Sequence, residues 1–213
     1  MTPSSYHTHT TFCDGKDSPE ELVLEAIRLG CPEIGFSGHA HTAFDESWCM
    51  SVGGTKEYID CINSLKTRYA DKIKVLLGIE QDYFSDTPTE GYDYIIGSVH
   101  YVKKGGVYLP VDESHEIQLR IVKEHYMGDF YAFCEDYFAL VGDVYSKTKC
   151  DIVGHFDLIE KFNETGDLFD RSSPRYRAAA DTALDKLLQT GVRFEVNFGA
   201  VACGYRSEPY PDS

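Results

Sequence analysis

The chain has 213 residues, 42% hydrophobic and 26% charged, which fits one soluble domain over residues 1–213 with room for a real core. Acids outnumber bases 35 to 20 and the formal charge is -15, which argues against nucleic acid as a partner. A small anionic substrate stays compatible, because bound divalent cations would reverse the charge locally. The seven cysteines are odd in number and lack any C-x-x-C, so neither a disulfide framework nor a structural zinc site is expected, and reduced thiols suit the cytoplasm. No leader pattern opens the chain and no apolar run approaches ~20 residues, so export and a membrane are not expected either. Nothing in the pattern speaks to oligomeric state.

Ser18-Pro19-Glu20-Glu21 reads as a helix start with a capping box, and Gly30 as its stop. Ile34 to Ser37 is short enough for a buried strand. Tyr58, Ile62, Leu65 and Tyr69 recur at helical spacing before a second strand from Ile73 to Ile79. After His100, Lys103-Lys104-Gly105-Gly106 between two β-prone stretches predicts a hairpin or protruding loop. Phe130, Phe133, Tyr137, Leu140 and Val144 predict one long amphipathic helix. Tyr176, Ala180, Ala183 and Leu187 predict another, begun by Ser173-Pro174 and stopped at Gly191, with a strand from Arg193 to Asn197 beyond it. Strands alternating with helices imply a parallel α/β sheet; six candidate strands are counted. The tail from Gly204 to Ser213 has no packing stripe and resembles a loop cut before its next element.

One device recurs: a short apolar run, a small residue, then a side chain able to bind metal. It ends in His39, Glu80, His100 and His155, while His7 and His9 stand two apart beside the N-terminus. On extended backbone, residues two apart face one side, so His7 and His9 can grip one ion together. Asp14, in Cys13-Asp14-Gly15, adds a carboxylate on a tight loop. Singly, each histidine reads as a core residue bonded to a carbonyl, and Asp14 as a turn former. At equivalent strand ends they read together as a multinuclear metal hydrolase. Glu80 is the sharpest member, since a carboxylate following such an apolar stretch is costly to bury unless cations compensate it. His41 is a reserve ligand, and His115 and His125 read as loop or helix residues. Cys13 and Cys203 lack an adjacent base motif and read as incidental thiols.

The motifs His7-Thr8-His9, Cys13-Asp14-Gly15, Ser37-Gly38-His39, Gly78-Ile79-Glu80, Gly97-Ser98-Val99-His100 and Gly154-His155-Phe156-Asp157 together resemble the polymerase and histidinol phosphatase (PHP) superfamily, in order and over essentially the whole chain. The histidinol-phosphatase branch is the nearest likeness. The resemblance implies a distorted seven-stranded (β/α) barrel with two to three divalent ions, zinc, manganese or iron. It implies a first ion on His7, His9 and Glu80, a second on Glu80, His100 and His155, and a third on Asp14 and His39. The superfamily adds a late Asp-x-His motif, which does not occur after His155, so the chain is expected to lack its closing C-terminal strand or strands.

The implied reaction is hydrolysis of L-histidinol phosphate, a small phosphate ester, by water that the ions activate. Arg206, Lys161 and Asn197 are candidates for the phosphate oxygens, Asp14 in its acid form or metal-bound water for the proton given to the leaving alkoxide, and Asp157 or Glu160 for the substrate's amine. Another small phosphoester as substrate, and a non-catalytic metal-binding domain, stay open beside it.

Overall fold

The computed structural model describes residues 4–212, which divide into two compact units, one ending at Ile96 and one beginning at Gly97. In the first, α1 (Pro19–Leu29) has the expected capping box, with Ser18 accepting from the Glu21 N–H and Glu21 reaching back to Ser18. It stops at Gly30, whose φ of 72° is the left-handed conformation that glycine adopts without strain. Strand β1 (Glu33–His39) pairs in parallel with β2 (Lys74–Asp82), and α2 (Val52–Arg68) makes the crossover between them. The stripe Tyr58, Ile62, Leu65 and Tyr69 is buried, as its spacing predicts. It packs with Val23 and Ala26 of α1 on Ile34, Phe36, Val75, Leu77 and Ile79 of the two strands. Each fully buried aliphatic side chain here contributes roughly 1.5–3 kcal/mol.

The glycine in Gly78-Ile79-Glu80 has a steric cause. A Cβ on Gly78 would lie 2.2 Å from the Tyr94 ring, which packs against Gly35 and Gly78 of the paired strands. Its hydroxyl reaches the Phe36 carbonyl at 3.0 Å and also the Tyr6 carbonyl. The segment that carries the first two histidines is thereby tied down. Tyr94 belongs to β3 (Tyr94–Ser98), the strand in which the first unit ends.

The second unit opens with the hairpin predicted around Lys103 to Gly106, formed by β4 (Tyr101–Lys104) and β5 (Val107–Pro110) in antiparallel pairing. Then come α3 (His115–His125), α4 (Phe130–Val141), α5 (Val144–Thr148), β6 (Ile152–Val153), a single 3-10 turn at Leu158–Glu160, α6 (Pro174–Leu188), β7 (Arg193–Phe194) and α7 (Gly199–Ala202). Strands β6 and β7 pair in parallel. The long helix expected to reach Val144 divides at Gly142-Asp143, two weak helix formers, into α4 and α5. The strand expected over Arg193–Asn197 is shorter, because Asn197 leaves β6 to pair with Tyr210 in an isolated antiparallel bridge. Among the described residues there are seven strands rather than six, two of them in the hairpin.

Candidate metal centre

The parallel register of β1 and β2 sets His39 directly opposite Glu80. Strand β1 ends here, two residues before β2 does, and the Ala40 N–H donates to the Glu80 carbonyl at 2.9 Å, so the pair stays aligned to the end of β1. The N-terminal segment runs beside β1: the Gly35 N–H donates to the Ser5 carbonyl at 2.8 Å and the Ser37 N–H to the Thr8 carbonyl at 3.1 Å. His7 and His9 are thus held on extended backbone, their ring centroids 5.0 Å apart.

Three imidazoles converge on one carboxylate oxygen. Glu80 Oε2 lies 3.1 Å from His7 Nε2, 3.4 Å from His9 Nε2 and 2.8 Å from His39 Nδ1. Glu80 is 1% exposed, so its charge is out of reach of water. Burial first, then the neighbouring His39, pulls His9 down to about 3, while Glu80 pulls the other way. The ring is neutral at pH 7 and keeps a lone pair for a cation. Donor atoms of His9, His39 and Glu80 all fall within 4.8 Å of one another, a spacing that fits a shared metal ion. A buried anion surrounded by neutral imidazoles is the donor set that divalent transition metals take.

Asp14 sits at the other side of the stacked His9 and His39 rings, whose centroids are 4.1 Å apart. Its Oδ1 is 3.5 Å from His39 Nε2 and 3.6 Å from His9 Nδ1. Partial burial opposes its charge, but the bond to His39 and the two imidazoles outweigh it and hold the carboxyl well below its usual range. An ionised Asp14 suits a ligand better than the proton donor suggested by its sequence context. Trp48, the only tryptophan, meets the His39 ring edge-on at 4.5 Å. No periodicity marks it, because it lies in an irregular loop. His41 is paired with Glu46 at 2.9 Å.

In the second unit, His100 follows β3 and His155 follows β6, with ring centroids 5.0 Å apart. The His155 N–H donates to Glu195 Oε1 at 2.8 Å, and buried Tyr137 braces the following turn by donating to the Phe156 carbonyl and accepting from the Leu158 N–H, both at 3.1 Å. Asn197 donates to Glu195 at 2.9 Å and accepts from the Gly199 N–H at 2.8 Å, so its side chain serves the fold around His155. Lys161 Nζ is bound to Asp112, 3.0 Å from the carboxylate and 2.9 Å from the carbonyl. Burial resists the charge on Asp112, yet Lys161 and His100 lower its pKa overall. Arg206 is 5% exposed, with Nη2 2.7 Å from Asp212 and its guanidinium 4.8 Å from the Tyr210 ring centre. Its Nε and Nη1 make no hydrogen bond. Nη1 stands 3.8 Å from the Glu160 carboxylate, which leaves Nε as the buried donor that an oxyanion would relieve. Asp157, pushed up to about 6 chiefly by burial, accepts from the Asp212 N–H at 2.7 Å. Glu160 is engaged by Tyr176 and by Arg171 at 3.1 Å, so neither carboxylate is a plain open counter-charge for an amine.

Two proteins named "Probable histidinol-phosphatase" are similar in sequence. That of Deinococcus radiodurans is 28% identical across 96% of this chain and 76% of its own length. That of Schizosaccharomyces pombe is 25% identical across 93% of this chain and 68% of its own length. Among solved structures, a candidate histidinol phosphatase from Listeria monocytogenes superposes with a TM-score of 0.79 over 98% of this chain and 87% of that one, at 22% identity, which shows a shared α/β fold. The model of the PHP domain family matches residues 5–198, so the chain belongs to that family.

Proposed function

We propose that the chain is a metal-dependent phosphomonoester hydrolase that converts L-histidinol phosphate to L-histidinol and phosphate. The observation that carries this is the buried Glu80 carboxylate with three imidazole nitrogens within 3.4 Å of one oxygen. In the first unit His7, His9, His39, Glu80 and Asp14 act as ligands; in the second, His100 and His155 do. Divalent ions bound there polarise the phosphoryl oxygens and lower the pKa of water toward ~7. Mixed imidazole and carboxylate donors accept zinc, manganese or iron, and the ligand sets suit two to three ions.

The remaining work falls to the chain's own side chains. Arg206 offers Nε to phosphate oxygens, and Nη1 only in competition with Glu160 at 3.8 Å, while Asp212 and the Tyr210 ring hold the guanidinium. Lys161 is bound to Asp112, so its proposed contact with phosphate is the weaker one, made in competition with that carboxylate. Asn197 acts through Glu195 and the His155 backbone, as a positioning residue. The names of the relatives support histidinol phosphate as the ester. All seven cysteines are free, which agrees with work in the cytoplasm.

Phosphate release by the metal-loaded full chain tests the proposal, with L-histidinol phosphate set against a panel of sugar and nucleoside monophosphates. Preference for histidinol phosphate is expected. Equal rates on every ester would sink the substrate assignment, and ion binding with no release from any ester would leave a metal-binding domain.

A further inference from the structure

The loop after His9 carries one more donor atom. The Cys13 and Gly15 N–H groups both donate to the Thr10 carbonyl, at 3.0 and 3.1 Å, which folds the chain back onto His9. Cys13 Sγ comes to rest 3.6 Å from His9 Nδ1, the ring edge opposite the one that faces Glu80. Asp14 Oδ1 is 3.6 Å from that same nitrogen and 3.5 Å from His39 Nε2. The donor atoms of His9, Cys13 and Asp14 all lie within 4.8 Å of one another.

These separations are the ones a single tetrahedral ion imposes. With Zn–S near ~2.3 Å and Zn–N or Zn–O near ~2.0–2.1 Å, a sulfur and a nitrogen on one ion stand about 3.6 Å apart, and an oxygen and a nitrogen about 3.4 Å. The sulfur–nitrogen and oxygen–nitrogen separations therefore already match those of two ligands on one ion, the first being a thiol–imidazole hydrogen bond in the metal-free chain.

We propose that Cys13 is a sulfur ligand to one ion of the centre, together with Asp14 and an imidazole nitrogen of the stacked His9 and His39 pair. The assignment rests on the metal-centre reading above and deepens it. A coordinated thiol gives up its proton outright, so burial of Cys13 is no obstacle once the cation is present. A thiolate is a soft donor, and it makes this position favour zinc or iron(II) over manganese(II), which prefers oxygen.

The test uses the full chain, stripped with chelator and reconstituted with cobalt(II), read by absorption. A near-ultraviolet sulfur-to-cobalt charge-transfer band is expected, kept in Cys203→Ser, which alters an exposed thiol, and lost in Cys13→Ser. Competition between zinc and manganese gives the second readout. Cys13→Ser is expected to weaken zinc by at least about tenfold, the low end of what loss of even an outer partner costs, with manganese affected less. Visible cobalt bands without the sulfur band in the unaltered chain would overturn the Cys13 assignment and leave the metal centre standing. A sulfur band that survives Cys13→Ser would overturn it too. Failure of cobalt to bind at all would remove both readings.

Discussion

Glu80→Gln separates a metal ligand from a structural ion pair, because the two roles predict different responses in the metal-free chain. Glutamine keeps the shape and removes the charge from a side chain that is 1% exposed. His9 beside it is pulled down to about 3 and is therefore neutral at pH 7, so His9 brings no charge of its own to the carboxylate in the metal-free chain. The glutamine oxygen can still accept from His39 Nδ1, 2.8 Å from the present carboxylate, so metal-free stability is expected to change little. Were it instead half of a buried ion pair, the loss would be about 3–5 kcal/mol. With metal the substitution destabilises. An ion at a hundred times its Kd stabilises the chain by about 2.7 kcal/mol, and a hundredfold weaker site at the same concentration gives only about 0.4 kcal/mol. The difference, roughly 2.3 kcal/mol, corresponds to about 5–9 °C of lost metal-dependent shift for a chain of this size. Thermal unfolding of both proteins, with and without zinc, measures each arm. A large fall in metal-free stability with an unaltered zinc shift would refute the reasoning.

Other outcomes follow from the same geometry. Arg206→Lys keeps the charge but loses the planar fork, so kcat/KM is expected to fall about a hundredfold, the scale of one lost oxyanion donor; an unchanged value in steady-state kinetics would remove Arg206 from the phosphate site. Gly15→Ala places a Cβ 2.4 Å from the Thr10 nitrogen and 2.5 Å from the His9 carbonyl carbon, so the loop must open. The expected cost is about 1–3 kcal/mol by denaturant titration, with weaker metal binding by calorimetry. Acid should destabilise the metal-free chain. His9 titrates near 6.5 when unfolded and only near about 3 when folded, so the unfolded state binds more protons between these values and stability drains as pH falls through that window. The loss between pH 7 and 5 is at most about 2 kcal/mol from His9, and a urea midpoint that holds steady across that range would contradict the neutral ring.

Local chemistry made part of this protein readable in one dimension. The capping box of α1, its glycine stop, the stripe of α2 and the hairpin at Gly105-Gly106 each depend on residues a few positions apart, so periodicity and turn chemistry find them. Glu80 was legible for a related reason: an acid after an apolar strand is an energetic anomaly wherever the strand goes. The extent of the later elements was less so, since whether a strand continues at Glu195 depends on a distant partner, and Asn197 found Tyr210 instead of β6.

Which atoms face which emerges only on folding. The register of β1 on β2 put His39 opposite Glu80, and the fold of one short loop turned Cys13 from an incidental thiol into a neighbour of His9 and Asp14. Lys161 and Arg206 look alike as isolated cations, yet Asp112, 49 positions away, occupies the first, while the second, held by Asp212 and facing Glu160, keeps a buried Nε with no hydrogen bond. Sequence alone supplies the kinds of group and their local geometry. Their protonation, their pairing and the cation they can share depend on desolvation and on distances between residues far apart along the chain, and those exist only once it has folded.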